Sequence, residues 1–292
     1  MGNTHMSLET HWSPEKIFSI NRLKIFSTYV LTILENIFNL FFPYVTGLAI
    51  NAAIDHESFG LLCFVGVWIA HALIRVIRLR YNIRIYSAIY RDTATEIVLQ
   101  QRTLNVDSSK IIARSSLSRE FINFFEHDIP RSITALFSFF GALSMLFIYD
   151  VQIAVYCFLI GVPLYILNKR YARRSRQLNK GLNDQYEHEV GILSNQGRDD
   201  VWGHYNHLAD WRTKLIDAQA NNWGVMELFV VILVGIVIFR AGSLPNSNTG
   251  SIYSIVSYTW NFVFSLDQVP ALVQQVGRLQ DIKQRVLSTI KN

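Results

Sequence analysis

The sequence predicts an all-α polytopic membrane protein whose six long transmembrane helices continue past the bilayer on one side. Three observations carry that prediction: the composition, a series of apolar runs of membrane-spanning length, and the placement of the basic residues. Half of the 292 residues are hydrophobic and only 17% are charged, against about a quarter charged in an ordinary soluble domain. Six Trp, thirteen Tyr and nineteen Phe exclude a disordered chain, which lacks large side chains to bury.

A helix needs about 20 predominantly apolar residues to cross the hydrocarbon core. Six runs qualify: Ile25–Ile54, Leu61–Leu79, Ser132–Tyr149, Val151–Asn168, Trp223–Phe239 and Ser251–Val273. Three connections are short, at Asp55–Phe59, at Asp150 and at Ala241–Gly250. The other two are long and polar, Arg80–Arg131 and Lys169–Asn222. Because short and long connections alternate, the three short ones share one side of the membrane.

Basic residues assign the sides. Three Lys or Arg precede the first run, ten lie from Arg75 to Arg131, nine from Lys169 to Lys214 and four from Arg278 onward, leaving only Arg240 of the 27 on the short-loop side. Lys and Arg are held in cytoplasmic loops, so both termini and both long loops are expected in the cytoplasm. A nucleic-acid-binding surface would not segregate its charge by alternate loops, so the net charge of +5 is read as topology and no nucleic-acid partner is expected.

The long loops are expected to be helical. Arg80–Arg102 contains no Gly or Pro, and Lys169–Glu189 is interrupted only by Gly181. The second helix has no turn signal around Arg75, Arg78 and Arg80, so it is expected to run straight on to Asn105, a length of about 65 Å at 1.5 Å per residue. Cys63 and Cys157 lie in apolar runs and imply no disulfide. Polar residues and Pro14 before the first run speak against a cleaved signal peptide.

Several segments resemble the transmembrane domain of ABC exporters. Leu34-Glu35-Asn36 followed by Pro43, Gly47 and Ile50 is similar to that family's first helix. Arg119-Glu120-Phe121-Ile122-Asn123-Phe124-Phe125-Glu126-His127-Asp128-Ile129-Pro130 resembles the segment returning from its first coupling helix. The resemblance spans about Lys16 to Leu287 and implies one transmembrane domain over 16–287, with tails at 1–15 and 288–292. It further implies the type IV exporter fold, a domain-swapped homodimer, transport of a small amphipathic solute by alternating access, and coupling helices near Ser108–Leu117 and Val190–Arg198. No G-x-x-x-x-G-K-[ST] phosphate-binding loop occurs in the sequence, so the chain is expected to be no enzyme and to bind no cofactor, using ATP only through a separate ATPase subunit. Two alternatives stand beside this reading. One is an ion-gradient-driven transporter, as in the SbmA/BacA-type peptide transporters. The other is a non-transporting membrane partner or sensor.

Ionisable side chains within membrane spans are costly and mark function by default. Glu35, His71, Arg75, Glu227 and Asp267 qualify. Glu35, counted from Ile25, is expected near mid-membrane, either as a proton-carrying carboxylate or paired with an Arg or with Asn36 or Asn39. Asp267 precedes Pro270, where a kink frees carbonyls, and suits a gate or a site near the cytoplasmic surface. His71 is a candidate proton relay or a packed polar residue, with Arg75 and Arg78 snorkelling to the headgroups. Glu227 is expected near the interface, one turn into its helix. Tyr29, Tyr258 and Phe262 are candidate cavity aromatics by the resemblance. Asp55-His56-Glu57 reads as a solvated turn rather than a metal site, and His204 and His207 as surface residues of a cytoplasmic helix.

Overall fold

A computed structural model describes residues 14–103, 116, 118–187, 189, 192, 197–245, 247–266 and 268. Among them every regular element is helical. Helix α1 covers Pro14–Ile54 and α2 Phe59–Thr103. Helix α3 covers Ser118–Tyr149, with a π-helical turn at Phe124–Asp128. Helix α4 covers Val151–Glu187, α5 Arg198–Gly242, and α6 residues 249–266. The first five are long and apolar enough to cross a membrane. The sixth expected span is helical as far as it is described, and its remainder lies outside the described residues.

The expectation that the second helix leaves the membrane without a break agrees with α2, whose 45 residues make about 67 Å. Polar continuations do the same for α4 and α5, so the two long loops contain extensions of the spans. Pro43 lies inside α1 and Pro163 inside α4. Beside the first, Thr46 Oγ1 donates to the Phe42 carbonyl at 2.7 Å.

Two compact units divide the chain, one comprising Met1–Ser138 with 271–292 and the other Phe139–Pro270. In the first, α1 and α2 form an antiparallel hairpin closed by the turn at Asp55–Ser58. Gly60 brings the helices together there, since a Cβ on it would lie 2.5 Å from the Leu48 carbonyl oxygen. At the hairpin's other end Ile25, Tyr86, Ile89 and Ile122 form a buried cluster.

In the second unit, α4 and α5 pair antiparallel over their whole length. Asp150 and Arg240 mark one end. Asn222 donates to Asn168 Oδ1 at 3.3 Å about 27 Å further along. The Trp211 ring then packs over Gly181, Gln185 bonds His204 Nδ1 at 2.9 Å, and Tyr205 donates to Glu189 at 3.1 Å. From Asp150 to Glu189 the pair measures about 58 Å, nearly twice the roughly 30 Å hydrocarbon core. Ile153, Leu164, Leu233 and Ile255 are fully buried in its apolar part.

Candidate functional site

Glu35 is 8% exposed. Its Oε2 accepts a hydrogen bond from Arg78 Nε, and its Oε1 lies 3.9 Å from Arg75 Nε. Glu35 lies nineteen residues before the end of α1 and Arg78 nineteen after the start of α2, so both sit about 28 Å from the turn joining the helices. Arg78 turns inward to the carboxylate, while Arg75, with its side chain 62% exposed, keeps the outward position expected of a snorkelling residue.

His71 lies twelve residues into α2, about 18 Å from the turn. Its ring meets Phe42 edge-on at 4.8 Å. Its Nε2 is buried without a hydrogen-bond partner among the described residues, as is Asn82 Oδ1.

A polar stripe on α1 is an addition to the sequence reading. Thr28, Thr32, Glu35 and Asn36 are all buried, and their three- and four-residue spacing sets them on one helix face. Asn36 donates to Thr134 Oγ1 at 3.0 Å rather than to Glu35. Thr28 Oγ1 lies 3.2 Å from Tyr86 Oη. The spacing T-x-x-x-T-x-x-E-N was visible in the sequence, but polar residues in an apolar run read individually as interruptions.

Tyr29 is half-buried and donates to the Phe125 carbonyl at 3.3 Å, and Tyr86 donates to the same oxygen at 3.2 Å. That carbonyl lies in the π-helical turn of α3, where the regular ladder is displaced. In the second unit Tyr258 and Phe262 are buried. Tyr258 stacks 6.2 Å from Tyr149 and Phe262 lies 5.3 Å from Phe139. The Phe262 ring closes on Gly161, whose Cβ would stand 3.1 Å from it.

Glu227 is half-buried on α5, thirteen residues before Arg240 and so about 20 Å from the short-loop end. It makes no ion pair among the described residues. Asp267 lies outside the described residues, as do Ser108, Leu117 and Val190. Arg198 is exposed and opens α5. His204 corrects the expectation of a surface position: it is 3% exposed, facing α4 through Gln185, while His207 is exposed. One helix turn separates α5 positions 204, 208 and 211, which form the arm's inner face.

At the short-loop end, Arg240 Nη2 donates to Asp150 Oδ2 at 2.8 Å, and Ile153 N–H donates to Asp150 Oδ1 at 3.0 Å. Asp150 is the single non-helical residue between α3 and α4, so it caps α4 while holding the end of α5. The Arg240 guanidinium, helped by the backbone donor, lowers the Asp150 carboxyl from its ordinary value. The Asp55-His56-Glu57 turn is exposed, and no group of three or more His, Cys, Asp or Glu suited to a metal occurs among the described residues.

The geometry is that of long apolar helices paired in register, with the Glu35–Arg78 and Asp150–Arg240 ion pairs tying neighbouring helices together. No curated protein compared with the chain matches it. The family described as ABC transporter transmembrane region matches residues 15–249, which includes α2, α3, α4 and α5 entire. The chain belongs to that family of membrane-transport domains.

Proposed function

We propose that the chain is the transmembrane half of an ATP-driven transporter of a small amphipathic solute, peptide- or siderophore-like, in a bacterial inner membrane. In this reading six helices cross, both termini lie in the cytoplasm, and two copies form a domain-swapped homodimer working by alternating access. ATP is used by a separate subunit docked on the coupling segments near 108–117 and 190–198. The observation that carries the reading is the α4–α5 arm. Its paired helices run about 30 Å past the Asn168–Asn222 bond, and a rigid lever of that length serves to transmit motion from outside the membrane.

The test is purification of the tagged chain from its native membranes. An ATPase is expected to co-purify, and to be lost when 190–198 is replaced by a Gly-Ser segment while the protein remains folded. Absence of any ATPase, together with dissipation of an imposed pH gradient in liposomes that depends on Glu35 or Asp267, would assign the chain to ion-driven transport instead.

A further inference from the structure

The face of α4 opposite its packed side changes chemistry at one level. Val155, Phe158, Val162 and Tyr165 on it are exposed, as a lipid-facing helix requires. One turn past Tyr165 the same face becomes basic: Lys169, Arg173, Arg176 and Lys180 follow at four-, three- and four-residue intervals, with Arg170 and Arg174 beside them. All six are exposed, and none is paired with a carboxylate among the described residues. Arg176 Nε is turned to its own helix's Ala172 carbonyl at 3.1 Å, and Lys169 Nζ lies 5.7 Å from the Tyr165 ring centroid. At the same height α5 offers Arg212, Lys214 and Asp217, which leave the band strongly positive.

The level of the change matches a membrane boundary. Lys169 is nineteen residues from Asp150, about 28 Å, close to the thickness of the hydrocarbon core. Trp223, 67% exposed, stands at the corresponding height on α5, as interfacial Trp does. We infer that this face of α4 is a binding site for an anionic phospholipid, its acyl chains along Tyr165, Val162 and Phe158 and its phosphate on Lys169 and Arg173. A free phosphate would use only the basic half and leave the apolar half without a role. A second copy that met this face with its own would set cations against cations. The inference needs the chain to lie in a membrane and is independent of what drives transport.

The experiment is native mass spectrometry of the detergent-solubilised chain titrated with phosphatidylglycerol or phosphatidylcholine of equal chain length. The unmodified chain is expected to hold phosphatidylglycerol about tenfold more tightly or better, since each basic residue near an anionic surface contributes appreciably. The variant K169Q/R173Q/R176Q/K180Q is expected to lose that preference at unchanged melting temperature. The variant R22Q/R84Q/R91Q/R102Q, with the same loss of charge on α1 and α2, is expected to keep it. Equal retention of the two lipids by the unmodified chain overturns the site, as does an equal loss in both variants, which would leave net charge alone responsible. Displacement of the lipid by millimolar glycerol phosphate would assign the cations to a soluble phosphate. A quadruple variant that becomes monomeric with its lipid preference intact would assign the face to a second copy.

Discussion

Glu35 and Arg78 meet at equal distances from the turn that joins their helices, so the ion pair fixes the register of α1 against α2. Removing one partner of a largely buried pair leaves an uncompensated charge, which costs about 3–5 kcal/mol, whereas removing both costs much less. Arg78→Met is therefore expected to lower stability by about 3 kcal/mol. Glu35→Gln combined with Arg78→Met is expected to recover a large part of that loss. Thermal unfolding of the single and double variants in one detergent checks the coupling, and strict additivity of the two would show that the pair contributes nothing to register.

Asp150 supplies a pH dependence whose sign follows from its partners. Arg240 and the Ile153 N–H hold its folded-state carboxyl below the ordinary value. A depressed carboxyl contributes stability fully present above its unfolded value, near pH 4, and lost as pH falls through the lower folded value. Asp150→Asn is expected to be less stable than the unmodified chain at neutral pH, with the difference shrinking below about pH 4. Melting temperatures across that range decide it, and a gap that stays constant down to pH 2 would place the stabilisation elsewhere.

Much of the architecture was legible because bilayer thickness is a ruler. Each run of about 20 apolar residues is helical over its described residues, and the Gly- and Pro-free stretch after Arg80 correctly signalled an unbroken α2. Which arginine meets Glu35 was not legible, because the match of nineteen residues on either side of the joining turn shows only once the bounds of α1 and α2 are fixed. His204 was hidden for a related reason: the arm outside the membrane has its own packed interface, and a polar sequence reads as solvated unless its one-turn spacing is matched to a facing helix. The bonds from Tyr29 and Tyr86 to Phe125 depend on contacts 96 and 39 residues apart in the chain, beyond any local pattern.

Gly60 separates close packing from helix propensity. A Cβ there would stand 2.5 Å from the Leu48 carbonyl oxygen and 2.8 Å from the Ala52 Cβ, and backbone cannot move aside without parting the helices. Replacing Gly by Ala gains up to about 1 kcal/mol of helix propensity, while overpacking costs about 1–3 kcal/mol. Gly60→Ala is expected to be net destabilising. Gly66→Ala, six residues on and with nothing within 4 Å, is expected to be neutral or mildly stabilising. Comparable melting temperatures for the two variants would contradict the close contact.

His56 carries a positive φ of 56° where α1 ends, and the Glu57 N–H reaches back to the Ala52 carbonyl at 2.7 Å. The left-handed conformation costs a residue with a Cβ about 1–2 kcal/mol and glycine almost nothing. His56→Gly is expected to raise stability slightly, offset in part by the greater freedom of glycine in the unfolded chain. His56→Val, with a branched Cβ, is expected to lower it. Unfolding of the two variants side by side tests the conformation, and an order of Val above Gly would rule it out.

Tyr86 reports on the π-helical turn of α3. Thr28 Oγ1 gives its single proton to the Ile25 carbonyl at 2.6 Å, so the Tyr86 hydroxyl proton serves either the Phe125 carbonyl or Thr28 Oγ1. Tyr29 is the second donor to that carbonyl. Each neutral hydrogen bond contributes about 1 kcal/mol net, and a buried acceptor stripped of donors costs more than that mean. Tyr29→Phe and Tyr86→Phe are each expected to cost about 1 kcal/mol, and the double variant more than the sum, because either hydroxyl partly covers for the other. Unfolding free energies of the three variants supply the cycle. A double variant no worse than the sum of the singles would mean that the two tyrosines do not share the Phe125 oxygen.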